Sequence, residues 1–174
     1  MLRTFTLAAA LAALPLSGPA PAHSAGPSDA QIFHIARTAG TIDVVAGQQA
    51  LKKTRNKQVR ALAETIVRDH GAVNQQLLVL SRKLEVTPRS NPTSVQLKRD
   101  ADAKLASYAK LSGRAFDRAF VDNEVAYHKT ALAAIEGTLI PSADDPRLKS
   151  LLQSADALFT EHLQHAEAVA REIP

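Results

Sequence analysis

The chain has 174 residues, no cysteine and a formal net charge of +4 at pH 7. This length suits one domain, and the lack of cysteine excludes disulfides, thiolate metal sites and a cysteine nucleophile. The charge is too mild to suggest a nucleic-acid partner, and the sparse aromatic residues, with no tryptophan, disfavour carbohydrate-binding or base-stacking surfaces.

The first 22 residues have the pattern of a secretory signal peptide. Arg3 supplies a basic start, an apolar run follows over residues 5–16, and Ala20-Pro21-Ala22 is a small-x-small cleavage sequence. The apolar run is too short to span a membrane, and nothing later in the chain approaches the required length. The sequence therefore predicts an exported protein, periplasmic or otherwise in the envelope, without a transmembrane segment in the mature chain.

Cleavage after Ala22 divides the chain into a signal peptide at residues 1–22, a flexible leader at 23–27 and a folded domain at 28–174. Cleavage after Ala25 is the alternative, but it places His23 at the −3 position, where a small residue is favoured. If cleavage follows Ala22, His23 becomes the mature N-terminus, and its amine and imidazole form a weak candidate copper chelate.

The first two predicted helices form a hairpin. The first begins at Ser28, because Ser28 and Gln31 have capping-box spacing, and it runs to about Thr54. Asn56 is a suitable N-cap for the second helix, which Pro88 ends. Apolar residues recur in the second helix every three or four positions, which is typical of a helix with one buried face.

Three further helices follow. A shorter, more polar helix over about residues 94–110 is predicted to be an insertion packed across one end of the domain. The next runs from about Ala115 to Leu139. The last begins at Pro146, with Asp145 as its N-cap, and continues to about Glu172.

This pattern predicts an all-α protein. No stretch alternates at period two for long enough to indicate a strand. Two long helical hairpins, separated by the shorter helix, favour an antiparallel four-helix bundle.

Several fragments, in their order and spacing, resemble an exported bacterial ferritin-like family catalogued as domain of unknown function 4142. Its members are sometimes labelled predicted outer membrane proteins. The resemblance covers about residues 28–172 and implies a ferritin-like bundle and an envelope location, without an established activity. The fragments are Asp29-Ala30-Gln31, Asp69-His70, Leu111-Ser112-Gly113-Arg114-Ala115-Phe116-Asp117-Arg118-Ala119-Phe120, His128 with Glu136, and Glu161-His162-Leu163.

Three histidines, His70, His128 and His162, fall in the predicted buried faces of three different helices. The resembled family typically has histidine at these positions, and it usually has glutamate where this chain has Asp43. A buried imidazole needs partners for both ring nitrogens. One such histidine is easily explained as a hydrogen-bonded core residue, whereas three on separate helices suggest a common site.

Helix geometry indicates which side chains lie at the same height. Asp43 is 13 residues before Asn56 and His70 is 14 after it, so both lie about 20 Å from the turn. In the second hairpin, His128 is 11 residues before Leu139 and His162 is 16 after Pro146. This predicts an offset of roughly 7 Å between them.

Glu124 matches the height of His162 better. It is also one turn from His128, at the spacing that puts two side chains on one helix face. The candidate metal ligands are therefore His70, His128, His162 and Asp43, with Glu124 as a further ligand. Mixed imidazole and carboxylate ligands suit zinc, iron, manganese or copper.

The alternative is a structural or stress-related envelope protein that binds no metal. Its histidines would then be core residues that are hydrogen-bonded to Asp43, Asp69, Glu136 or Glu161.

The sequence does not favour an enzyme. Di-iron bundles use paired Glu-x-x-His motifs, and this chain contains none, because Glu124 to His128 and Glu161 to His165 are both spaced by four. The chain also has neither a nucleophile elbow nor a phosphate loop.

Remaining candidates are weaker. His165 could chelate a metal together with His162, and His34 is expected at the surface or the edge of the buried face. The basic segment over residues 52–57 is either a solvated helix end or a weak contact for anionic envelope surfaces. Protein partners are not predictable from the sequence.

Overall fold

The computed structural model describes residues 26–173, which form helices and short connections without any strand. The predicted signal peptide and most of the predicted leader lie outside these residues. The elements in chain order are α1 (Asp29–Lys53), α2 (Lys57–Lys83), α3 (Pro92–Ala109), α4 (Gly113–Ala134), a π-helical turn (Ile135–Leu139), α5 (Ile140–Ser142) and α6 (Pro146–Glu172).

The predicted starts of α1, α2 and α6 are confirmed by their caps, whereas α3 and α4 begin two residues earlier than predicted. The side chain of Asn56 accepts two backbone hydrogen bonds from the first turn of α2, and that of Asp145 accepts one from α6, which begins with Pro146. At the start of α1, the backbone N–H of Ser28 donates to the side chain of Gln31 at 3.0 Å. These bonds satisfy N–H groups that a helix end otherwise leaves unpaired.

Helices α1, α2, α6 and α4 pack in a ring in which each neighbouring pair contacts. The predicted four-helix bundle with an extra helix between the hairpins is confirmed. The predicted place of that extra helix is wrong, because α3 lies lengthwise along α1 instead of across one end. The Asn91 side chain donates to the carbonyl of Gln31 at one end, and Lys53 donates to the carbonyl of Ala109 at the other.

This placement of α3 sets the direction of the second hairpin. It carries the chain from the start of α1 to its end, so α4 runs antiparallel to α1. As a result, all four neighbouring pairs in the ring are antiparallel, the arrangement typical of such bundles.

Two hydrophobic clusters fill the bundle, one toward each end. The site residues described below lie between them. The first cluster is built around Ala50, Val59, Leu62, Ile66, Tyr108, Phe116, Phe120, Val121 and Val169, and the second around Ile32, Phe33, Leu77, Leu132, Ile135, Leu139, Leu148 and Leu152.

The fourth predicted helix does not end at Leu139. It continues through the π-helical turn into α5 and stops at Ser142, although Pro141 lies within its last turn. The second hairpin therefore turns three residues later than the sequence predicts, which changes the relative height of α4 and α6.

Asp29 ties the start of α1 to the turn before α6. Its carboxylate accepts backbone hydrogen bonds from Asp144 at 2.9 Å and Asp145 at 3.0 Å. We expect Asp29→Ala to lower the free energy of unfolding by about 1–2 kcal/mol, because two backbone donors lose a charged acceptor. Urea denaturation measures this change.

Asp102→Ala is the matched control, because Asp102 pairs only with Lys98 on the exposed face of α3. Its effect should stay below about 0.5 kcal/mol. Equal losses in the two variants would show that Asp29 does not fasten the two ends together.

Candidate metal centre

The three predicted histidines converge at the centre of the bundle. His70 comes from α2, His128 from α4 and His162 from α6, and their exposed fractions are 2%, 0% and 2%. The centroids of their rings are separated by 5.2 to 5.5 Å. One nitrogen from each ring lies within 4.8 Å of the other two.

Asp43 of α1 adds a carboxylate to these rings. Its Oδ2 atom lies 3.2 Å from Nε2 of His70 and 3.7 Å from Nε2 of His128, while Nδ1 of His162 lies 3.3 Å from Nε2 of His70. Two ligands of a tetrahedral ion, each about 2.0–2.1 Å from it, are separated by about 3.4 Å. These three contacts are therefore spaced as metal ligands are. Two groups that share His128 could hold an ion: His70, His128 and His162, and Asp43, Glu124 and His128.

Two outer contacts orient the rings. Nδ1 of His128 lies 2.9 Å from the backbone carbonyl of Glu124, and Nε2 of His162 lies 3.0 Å from Oδ2 of Asp69. Each of these nitrogens faces only an acceptor there and must donate its hydrogen. The other nitrogen of each ring, which faces the centre, then carries the lone pair that a metal requires.

Asp69 is suited to this outer role. It is partly exposed, and its carboxylate accepts two hydrogen bonds from Arg68, at 2.7 and 2.9 Å. Arg68 lowers the pKa of Asp69, as does His162 to a smaller extent, so the carboxylate stays ionised.

Glu124 is the most unusual side chain of the site. It is fully buried, and within residues 26–173 neither of its carboxyl oxygens makes a hydrogen bond of normal geometry, although its carboxyl group lies beside that of Asp43. Its Oε2 lies 3.7 Å from Nδ1 of His128, and one carboxyl oxygen lies within 4.8 Å of ligand atoms of Asp43 and His128. Buried polar groups without partners are rare and call for an explanation.

Burial disfavours the charged forms of both buried carboxyl groups. It raises the pKa of Asp43 to about 7. For Glu124, burial and the neighbouring charge of Asp43 raise the pKa well above 4.5. At neutral pH this coupled pair retains at least one proton, unless a cation compensates its negative charge.

Burial acts on the histidines in the opposite direction. It lowers the pKa of His70 to about 2, with a further contribution from His128 and His162, and lowers that of His128 to about 4. Both rings are therefore neutral at physiological pH, which is the form that binds metals.

All five predicted site residues meet at this centre. Asp43 and His70 lie side by side, as their heights predict, but the predicted offset between His128 and His162 is wrong. Because α4 and its extension continue to Ser142, His128 is 14 residues before that end and His162 is 16 after Pro146. The difference of two residues amounts to only about 3 Å.

The carboxylates expected to bind the histidines in the metal-free alternative, and the weaker histidine candidates, lie in different places. Asp43 and Asp69 contact the histidines, whereas Glu136 and Glu161 are exposed. His165 is half-buried one turn beyond His162, and His34 contacts Thr38 on α1. His23 lies outside the described residues.

Phe159 was not predicted to belong to the site, but it stacks on His70 with ring centroids 4.3 Å apart. Phe159 is buried, whereas the neighbouring Leu158 is only half-buried. The sequence did indicate its position, because Phe159 lies three residues before His162 and thus on the same helix face. Tyr127, whose hydroxyl donates to the carbonyl of Ala39 at 2.9 Å, was also missed.

The family described as domain of unknown function DUF4142 matches residues 14–169. The chain belongs to this family. No curated protein matches it.

Two solved structures share the helical fold of this DUF4142 protein. A DUF305 fragment from Deinococcus radiodurans has 14% identity and a TM-score of 0.71, with 83% of this chain and 97% of that one covered. A DUF305 protein from Streptomyces coelicolor, described as a candidate secreted protein, has 13% identity and a TM-score of 0.60, with coverage of 83% and 90%. At such identities the likeness concerns the fold alone.

Within residues 26–173, none of the helices has both the length and the apolar character needed to cross a membrane.

Glu124 makes stability depend on pH. The folded protein keeps the proton of Glu124, whereas the unfolded chain releases it above about pH 4.5. The stabilisation that this proton contributes is therefore complete below about pH 4.5. It is lost as the pH rises toward the pKa of Glu124 in the folded protein. Glu124→Gln stays neutral. We therefore expect the unfolding free energy of Glu124→Gln to rise relative to that of the parent, by up to about 1.4 kcal/mol per pH unit above pH 4.5.

Urea denaturation in the presence of a chelator, at about pH 5 and about pH 8, measures this growth. Glu161→Gln is the control, because Glu161 is exposed on α6, and its difference from the parent should not change with pH. A constant difference for Glu124→Gln would show that Glu124 is ionised in the folded protein throughout this range.

Proposed function

We propose that this protein is exported and binds one transition-metal ion inside its helical bundle. The ligands would be Nε2 of His70, Nε2 of His128, Nδ1 of His162 and Oδ2 of Asp43. The observation that carries the proposal is that three contacts of 3.2 to 3.7 Å link these atoms, together with the acceptors that bind the outer nitrogens of His128 and His162. Each of the four long helices contributes one ligand.

The charges of the site support the same conclusion. Asp43 and Glu124 are two acids in a place that water barely reaches, and no lysine or arginine is paired with either of them among the salt bridges of residues 26–173. His70 and His128, which lie next to them, are held neutral by burial. A divalent cation would supply the missing positive charge, and burying uncompensated charge is costly.

The ligand set narrows the choice of metal. Three imidazoles and one carboxylate at tetrahedral spacing favour zinc first, with copper, iron and manganese as further candidates. Glu124 lies directly beyond Asp43 and His128. It would serve as a further ligand for an ion that prefers more than four.

Export is supported by the predicted signal peptide at residues 1–22. It also agrees with the description of the Streptomyces coelicolor DUF305 protein as a candidate secreted protein. An envelope location, the periplasm included, would expose the site to metals that enter from outside the cell.

One observation favours the metal-free alternative. His162 lies within hydrogen-bond reach of both Asp69 and His70, so its ring could donate to Asp69 and accept from His70. That arrangement would make the histidines a purely structural network. It would still leave His70 Nδ1 and His128 Nε2 without partners in residues 26–173, although the neighbouring carboxyl groups of Asp43 and Glu124 could share a proton.

The ligands can be tested by zinc titration against a chromophoric chelator. We expect the parent to bind one equivalent of zinc and His128→Ala to bind it at least about 100-fold more weakly, because a ligand is lost. His34→Ala is the matched control, since His34 lies on α1 outside the site. Stoichiometric zinc that survives both His70→Ala and His128→Ala would contradict the proposal.

Asp69 offers a finer test, because it does not contact the ion directly. Asp69→Asn should weaken zinc binding about 10- to 100-fold, which is typical when the group that orients a ligating histidine is changed. Unchanged zinc affinity would show that His162 is not a ligand oriented by Asp69.

A further inference from the structure

A long cleft with a volume of about 800 Å³ lies between α3 and α4, with α1 as its floor. Its lining follows α1 from Gln31 to Ala46, or about 22 Å at the rise of an α-helix. The volume falls within the range of small-molecule sites. The space is elongated, so it suits a long, narrow occupant.

The walls of the cleft are mainly apolar. Alanines on three helices, Ala39 of α1, Ala101 of α3 and Ala131 of α4, leave room that larger side chains would fill. Ile35, Leu105 and Ile135 add apolar surface beside them. This lining matches an alkyl chain, whose burial is favourable for each methylene removed from water.

One part of the cleft lining is polar. Asp43, His70 and His128 lie on the wall of this same cleft. All three are at least 98% buried, and Oδ2 of Asp43, Nδ1 of His70 and Nε2 of His128 have no hydrogen-bond partner. Because Asp43 is only three residues from Ala46, these buried polar atoms lie behind the cleft wall, toward one end of the cleft.

We propose that the cleft binds a long-chain carboxylic acid, with its alkyl chain along α1 and its carboxylate at the end of the cleft nearest the metal centre. The inference rests on the proposed function. Without a cation, the acid pair of Asp43 and Glu124 offers an anionic head group no attraction, whereas a bound divalent ion would attract it. A neutral lipid chain would fill the apolar part of the cleft but would leave the polar end unused.

The first test uses the zinc-loaded protein, freed of excess zinc, and dodecanoate as the probe. Calorimetry should show saturable binding of about one equivalent, and Ala131→Phe should weaken it at least about tenfold by filling the cleft. Ala133→Phe is the matched control, because Ala133 is two residues away on the exposed face of the helix. It should change the affinity by less than about twofold.

Folding of the variants is verified by their zinc uptake. Ala39→Leu fills the cleft from α1 and is the second variant if Ala131→Phe does not fold. Retained zinc uptake with weakened dodecanoate binding in either variant supports the proposal. Equal dodecanoate binding by the parent and both filled variants would overturn it.

The second test concerns the head group. Removal of zinc by a chelator should weaken dodecanoate binding at least about tenfold, but should change binding of dodecanol or methyl dodecanoate by less than about twofold. Octanoate should bind more weakly than dodecanoate, by up to roughly fourfold per missing methylene. Dodecanoate binding that does not depend on zinc would overturn the proposal.

The two proposals fail in different ways. If the protein takes up no metal, the proposed function is wrong and this inference fails with it. If it takes up zinc through the predicted ligands but dodecanoate does not bind, only the inference about the cleft is wrong.

Discussion

The structure depends on how the charge of buried ionisable side chains is compensated in the middle of the bundle. Five ionisable side chains, Asp43, His70, Glu124, His128 and His162, lie there with at most 2% of their surface exposed. A core of this size could be filled with leucine at lower cost, because burial of ionisable groups is unfavourable unless they are paired or bind a metal. The two hydrophobic clusters on either side supply the apolar burial that holds this layer in place.

The bundle architecture makes the site possible. Each of the four long helices contributes one of the proposed ligands, and the antiparallel ring brings these residues to the same height. Helix α3 has a separate role, because it carries the chain back along α1 and so lets α4 run antiparallel to its neighbours. The same helix forms one wall of the cleft that reaches Asp43, His70 and His128. The position of the buried centre and the cleft beside it thus both follow from the course of α3 along α1.

Much of this could be predicted from the sequence, because helix caps and periodicity are local. Asn56, Asp145 and the Ser28–Gln31 pair mark their helix starts correctly. The height of Asp43 relative to His70 follows because a short turn joins α1 to α2. The offset between His128 and His162 was wrong, because the chain continues as a helix through a π turn and past Pro141, which a residue count cannot reveal. The lengthwise course of α3 depends on tertiary packing, so the sequence alone did not indicate it.

The central claim is that three imidazoles and one carboxylate bind the same ion. X-ray absorption spectroscopy of the zinc-loaded protein tests it most directly, because imidazole rings scatter in a recognisable pattern beyond the nearest atoms. The account predicts about four nitrogen or oxygen neighbours at about 2.0–2.1 Å with the outer scattering of three imidazoles. A shell made of oxygens without imidazole scattering, or with a single imidazole, would contradict it and would place any bound zinc on the surface of the protein.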